Sequence, residues 1–177
     1  MRYTFQTERL LLRPYGLEDC PHVHRLWTDA SIVWWRANDP MTEDETRDLH
    51  GRYSGINGAA SSGLGWWLIF DRTNDSQVIG QAALKPLPDL PGETEVAWQV
   101  LRDRRGKGYA TEAGRVMLRH GFGAMELDRI VAPIVPGNAP SVAVARRLGM
   151  TKSNELVKAG LLHHLFRIGR TGWSVLE

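Results

Sequence analysis

The sequence predicts an α/β fold of the mixed α+β kind, with helices packed on a single sheet. Three observations carry this. Short apolar stretches bounded by Gly, Pro or Asn recur as strands in both halves of the 177 residues. Two later segments place apolar residues at three-to-four spacing, the period of a helix face. The chain is 42% hydrophobic and 24% charged, and at this length folding hides roughly 70% of the unfolded surface, enough for one core. A single domain over residues 1–177 is therefore expected.

The elements follow in order. Glu8–Pro14 alternates as a first strand that Pro14 ends. Leu17–Thr28 has helical spacing, with Val23, Leu26 and Trp27 on one face. Residues 29–40 are Trp-rich and irregular. Thr42 followed by Glu45 starts a helix through about Tyr53 as a capping box. Gly55–Gly63 reads as a loop, then Gly65–Asp71 and Gln77–Leu84 as strands around a polar turn at Asn74. After a loop at Pro86–Gly92, Glu93–Leu101 is a strand. Arg102–Gly108 is a short basic connection into a helix from Tyr109 to about Met125. Arg129–Val135 is an apolar strand, Ser141–Leu148 a short helix closed by Gly149, and Asn154–Lys158 and His164–Arg170 are two final strands.

Composition narrows the function. No apolar run reaches the roughly 18–20 residues of a membrane helix, and the first residues lack a secretory layout. One cysteine, Cys20, cannot form an internal disulfide, and no His, Cys or carboxylate set has metal-ligand spacing. A soluble cytoplasmic chain without a metal, membrane or nucleic-acid partner is expected; a homodimer is left open. Residues 1–100 hold 9 basic and 14 acidic side chains, whereas residues 101–177 hold 13 and 6. A polyanionic ligand therefore suits the second half, and the acidic first half points to a cationic acceptor.

The chemistry lies in Arg105-Gly106-Lys107-Gly108-Tyr109-Ala110, between a strand and a long helix. Glycines allow backbone to approach a ligand, and a helix N-terminus offers free N–H groups and a positive dipole end, so the turn suits a pyrophosphate. It is neither a Walker loop nor G-x-G-x-x-G, because Thr111 stands where the third glycine belongs. Downstream lies Asn138–Met150, NAPSVAVARRLGM. With Arg105, Gly108 and Ala110 in a Gln/Arg-x-x-Gly-x-Gly/Ala signature and the opening Thr7–Pro14, TERLLLRP, this sequence resembles the GCN5-related N-acetyltransferase (GNAT) superfamily, and within it the ribosomal-protein-alanine N-acetyltransferase branch.

That resemblance implies a mostly antiparallel, twisted central sheet with one splayed strand pair, flanked by helices. It implies acetyl-CoA as co-substrate and transfer of its acetyl group to a primary amine, either a protein N-terminus or a small molecule. Backbone from Arg105, Gly106, Lys107, Gly108, Tyr109 and Ala110 would cradle the pyrophosphate. Val100 would pair with the pantetheine arm, Asn138 would bond it, and Arg147 would lie near its nucleotide end. An amine with a pKa of about 8 to 10.4 arrives protonated, and Glu95 is the candidate base, with an oxyanion donor at the Val96 or Ala97 N–H. Glu95 could equally be a solvent-facing strand residue paired with Arg or Lys. Ser141 is the candidate donor to the leaving thiolate and a candidate cofactor contact, or only the cap of its helix. Trp34, Trp35 and Trp98 are candidates for the acceptor mouth. The alternatives are an acyl-CoA-binding regulator without turnover, an antibiotic or polyamine acetyltransferase, and a nucleic-acid binder, for which the interleaved aromatics are missing.

Overall fold

A computed structural model describes residues 3–29, 40–58, 63–74 and 77–174. In chain order the elements are β1 (Phe5–Gln6), β2 (Leu10–Pro14), a 3-10 turn (Leu17–Asp19), α1 (Cys20–Trp27), α2 (Glu43–Gly58), β3 (Gly65–Asp71), β4 (Gln77–Pro86) and β5 (Thr94–Val100). There follow a second 3-10 turn (Arg102–Arg104), α3 (Tyr109–Phe122), β6 (Arg129–Ile134), α4 (Ala139–Arg147), β7 (Thr151–Lys158), β8 (Leu161–Gly169) and α5 (Arg170–Ser174).

One eight-stranded sheet runs β1-β2-β3-β4-β5-β6-β8-β7. Its pairs are antiparallel except β5 with β6, which run parallel and share the single register pair Glu95↔Val131. The divergence has a backbone cause. The Arg170 N–H bonds to the Asp128 carbonyl, so alternation turns Ile130, Ala132 and Ile134 toward β8 and Val131 and Pro133 toward β5. Pro133, two residues beyond the register pair, has no N–H with which to continue the ladder. The expected splay is present, between β5 and β6.

Both faces of the sheet are covered, which explains why β3, Gly-Trp-Trp-Leu-Ile-Phe-Asp, lacks polar alternation. Trp67 and Ile69 join Leu12, Leu84, Met117 and Ile130 under α3. Trp66 and Leu68, one residue out of phase, join Val23, Leu26 and Trp27 under α1 and α2. The paired tryptophans Trp66 and Trp67 are thus buried on opposite faces.

Several boundaries differ from expectation. The Thr42–Glu45 capping box forms, with the Thr42 N–H on Glu45 Oε2 at 2.8 Å and the Glu45 N–H on Thr42 Oγ1 at 3.2 Å. However, α2 continues through Gly58, past the expected stop and into the expected loop. Packing of α2 on α1 and β3 outweighs the roughly 1 kcal/mol that each interior glycine costs. Helix α4 starts at Ala139 because Asn138 is its cap, its side chain accepting from the Ser141 N–H; Ser141 is therefore inside the helix and not its cap. At the other end Gly149 (φ 78°) lets the Met150 N–H reach Ala145 O and its own N–H reach Arg146 O, a Schellman closure. The last two strands are longer than expected, joined tightly by Ala159 and Gly160, both at positive φ. Among the described residues no helix is long and apolar enough to cross a membrane.

Gly80 of β4 lies opposite Val100, where an added Cβ would run into the backbone of Gln99. Gly80→Ala is expected to lower the stability by about 1–3 kcal/mol, read as a shift of the urea midpoint at unchanged m-value.

Candidate active site

The glycine turn is held from the far edge of the sheet. Arg9 bonds to Glu112 with Nε at 2.8 Å and to the Lys107 carbonyl with a terminal nitrogen at 2.9 Å, and it lies over the Tyr109 ring. Thr7 Oγ1 donates to the same Glu112 carboxylate at 2.5 Å. The Thr-Glu-Arg opening of the sequence thus clamps the turn and the first turn of α3 in place. Gly106 (φ 79°) and Gly108 (φ 83°) occupy the left-handed region that L side chains enter at a cost of about 1–2 kcal/mol. Gly108 caps α3 without a side chain to bond its first N–H groups, and nothing lies within 4 Å of where a Cβ on Gly106 would be. Those two features fit an anionic group at the helix N-terminus.

The side chains around the turn divide. Tyr109 points into the core, with its hydroxyl on Asp71 Oδ2 at 3.0 Å. Arg105 Nε donates to the Val100 carbonyl at 3.0 Å, and Arg104 to Gln77 at 2.8 Å. Lys107 and Arg147 are exposed. All the expected cofactor residues except Lys107 line one cavity of about 330 Å³. Val100 lines it too, and its carbonyl accepts from Arg105.

A second cavity of about 470 Å³ shares Trp98, Gln99, Asn138 and Ser141 with the first and lies across the splay. The Leu101 N–H bonds to the Ile79 carbonyl, so alternation puts Ala97 into the β4 ladder and turns Val96 and Trp98 toward β6. The Ala97 N–H is therefore spent. Val96 adjoins the Glu95↔Val131 pair, and beyond it the Trp98 N–H faces the opening. The Trp98 side chain packs with the core under α3, on the face opposite Ala97, while lining both cavities. Ser141 is half-buried, and its hydroxyl has no hydrogen-bond partner among the described residues. Trp34 and Trp35 lie outside the described residues.

Glu95 is neither solvent-facing nor free: it is 6% exposed, and its Oε2 accepts from Lys85 and from Lys158, both at 2.6 Å. Burial by itself would push the carboxyl up; the two ammonium groups outweigh it and hold Glu95 below its ordinary value. The charged lining of this cavity among the described residues is thus two lysines and one glutamate, the opposite of what the acidic first half suggested. Beneath them, Gln81 accepts from Tyr15 and Trp27 and donates to Gln99, which donates to the Leu26 carbonyl. This buried network fixes the wall on which Gln99 stands.

The sequence reading missed Lys85, Lys158 and the clamp of Thr7, Arg9 and Glu112. Lys85 was within reach of it: two strands joined by a short loop place Lys85 directly opposite Glu95. Lys158 is 63 residues from Glu95 and has no local signal.

A sheet splayed at one parallel pair, with a glycine turn feeding a helix beside the opening, defines an acyltransferase-type fold, and the sequence agrees. Residues 9–151 match the acetyltransferase (GNAT) domain family. The chain belongs to that family and is an acetyltransferase. It is 29% identical over 154 residues to an uncharacterised N-acetyltransferase of Bacillus licheniformis, covering 86% of this chain and 85% of the other. It is 29% identical to the FsC-acetyl coenzyme A-N(2)-transacetylase of Aspergillus fumigatus, covering 84% and 65%. A solved acetyltransferase from Agrobacterium tumefaciens superposes with a TM-score of 0.80 at 25% identity, covering 95% of each chain.

Because the Glu95 value is depressed on folding, its contribution is complete above the ordinary carboxylate value of about 4.3 and disappears as pH falls through its lower folded value. Glu95→Gln strands two largely buried ammonium groups. It is expected to cost on the order of 3 kcal/mol at pH 7 and progressively less below pH 4, where the wild-type carboxyl also protonates. Thermal unfolding of both proteins between pH 3 and 7 measures this.

Proposed function

We propose that this chain is an acetyl-CoA-dependent N-acetyltransferase whose two joined cavities hold the two substrates. The observation that carries the reading is their meeting at Trp98, Gln99, Asn138 and Ser141, with the glycine turn at one end and Glu95 at the other. A relative named for acetyl coenzyme A supports the choice of donor. Acetyl-CoA would supply the acyl group as an activated thioester.

The backbone N–H groups from Gly106 to Ala110 bind the pyrophosphate, that of Arg105 being spent on the Arg102 carbonyl, with Lys107 and Arg147 as exposed counter-charges. The free edge of β5 at Trp98 pairs with the pantetheine arm and gives its N–H to the thioester oxygen as negative charge develops there. Asn138 already spends Oδ1 on its helix, so its amide NH2 is what remains for the arm. The acceptor nitrogen attacks the thioester carbonyl carbon; the C–N bond forms, the C–S bond breaks, and the sulfur leaves as thiolate. Ser141 donates to that thiolate, whose conjugate acid has a pKa of about 8.5. Glu95 meets the incoming ammonium with Oε1, the oxygen its lysines leave open, and passes the proton toward solvent. With its pKa held low it is a weak base, so the acceptor amine sets the pH dependence.

Calorimetric titration with acetyl-CoA, CoA and ATP tests the donor, and thiol release with a panel of amines tests turnover. Micromolar binding that requires the pantetheine arm is expected; binding of ATP alone, or no acyl transfer to any amine, overturns the reading. kcat/KM is expected to rise with slope near one from pH 6 toward the acceptor's own pKa, with no inflection from Glu95 in that range. Ser141→Ala is expected to lower kcat by roughly 10–100-fold while leaving acetyl-CoA affinity and the melting temperature unchanged, since its hydroxyl supports nothing else.

A further inference from the structure

Two positive side chains converge on one carboxylate oxygen at the acceptor end of the site. The Lys85 side chain is 14% exposed, Lys158 24% and Glu95 7%. Each ammonium has three N–H donors and spends one of them on Glu95 Oε2. No other charged group among the described residues lines this cavity; His163 does line it, with Nδ1 on the Leu161 carbonyl. One positive charge is left without a counter-charge among the described residues, in a cavity whose wall is largely apolar, with Trp27, Leu49, Trp66, Ile134 and Leu161, and also carries the neutral polar groups of Gln81, Gln99, Asn138 and Ser141. Two cations held beside the same oxygen also repel one another, and an incoming anion relieves both deficits.

We infer that the acceptor is a free amino acid with an apolar side chain, its carboxylate bound by Lys85 and Lys158 and its amine presented to Glu95. The inference rests on the acetyl-transfer reading above and names the substrate class for it. The receptor matches a zwitterion: Glu95 Oε1, without a partner among the described residues, takes the ammonium, and the unused donors of the two lysines take the carboxylate. The aromatic and aliphatic wall takes the side chain. A polyamine would set a second cation against Lys85 and Lys158. A peptide N-terminus brings an amide where the surplus charge wants an anion. In the reaction the ammonium loses two protons, one through Glu95 to solvent and one that restores the CoA thiol by way of Ser141, as the C–N bond forms and the C–S bond breaks; the carboxylate is unchanged.

The test compares leucine and phenylalanine with their amides, a neutral-side-chain peptide and spermidine at saturating acetyl-CoA, with rates normalised to the free-amine fraction. The free acids are expected to exceed the amides at least tenfold in kcat/KM. Lys85→Met and Lys158→Met, which keep the stem and leave Glu95 one lysine each, are expected to raise KM for the free acids at least tenfold. Because each lysine also tunes Glu95 for every acceptor, the readout is the ratio: both variants should cut the preference for acid over amide at least tenfold and leave acetyl-CoA binding unchanged. A second readout needs no turnover: N-acetylleucine should bind the CoA complex of the wild type, and N-acetylleucinamide should bind much more weakly. Amides, peptide or spermidine used as well as the free acids, or lysine variants that keep the preference for the acid, overturn the inference while acetyl transfer stands. Failure to bind acetyl-CoA overturns the transferase reading and this inference with it.

Discussion

Strands β5 and β6 run side by side only at Glu95 and Val131, and most of what makes this chain a catalyst follows from their parting. Each is held on its other side, β5 by seven register pairs to β4 and β6 by six to β8. The sheet therefore does not need their mutual ladder for stability. Pro133 removes the N–H that would extend it. The opening exposes a strand edge at Trp98 that would otherwise be consumed in the sheet, and it lets a cavity on the α3 side join one on the α1–α2 side. An edge left open in a sheet is usually a liability; here it is short and walled by Asn138 and Ser141 at the start of α4.

Two charge clusters frame that opening and differ in kind. Arg9 and Glu112 are 39% and 19% exposed, and together with Thr7 and the Lys107 carbonyl they act as a geometric clamp, fixing a turn whose glycines have little intrinsic rigidity. Lys85 and Glu95 are more deeply placed, at 14% and 7%, with Lys158 at 24%. Burying three charges is costly, and pairs of this kind are seldom net contributors to stability. A triad with one cation in excess is therefore more economically explained by ligand recognition than by folding. The same arrangement holds the Glu95 carboxyl below its ordinary value, so in the proposed reaction the acceptor amine would set the pH dependence.

The secondary structure was legible wherever the governing interaction is local. The Thr42–Glu45 box, the glycine turn before α3 and Gly149 at the end of α4 all act within a few residues. Asn138 was legible as a cap too, since Pro140 in the first helical turn points back to it. The overrun of α2 through Gly58 was not legible, because packing on α1 and β3 overrides a weak propensity.

The sequence by itself determined most of the elements, the glycine turn before α3 and the family, because periodicity, capping and glycine backbone freedom are properties of neighbouring residues. Only the tertiary structure decided the chemistry around Glu95. The strand order sets β8 between β6 and β7, and the tight turn at Ala159 and Gly160 carries Lys158 back to a carboxylate 63 residues away. Which backbone N–H faces the splay was decided there too, by strand register. Register and charge burial are set by contacts between distant segments, and no local pattern encodes them.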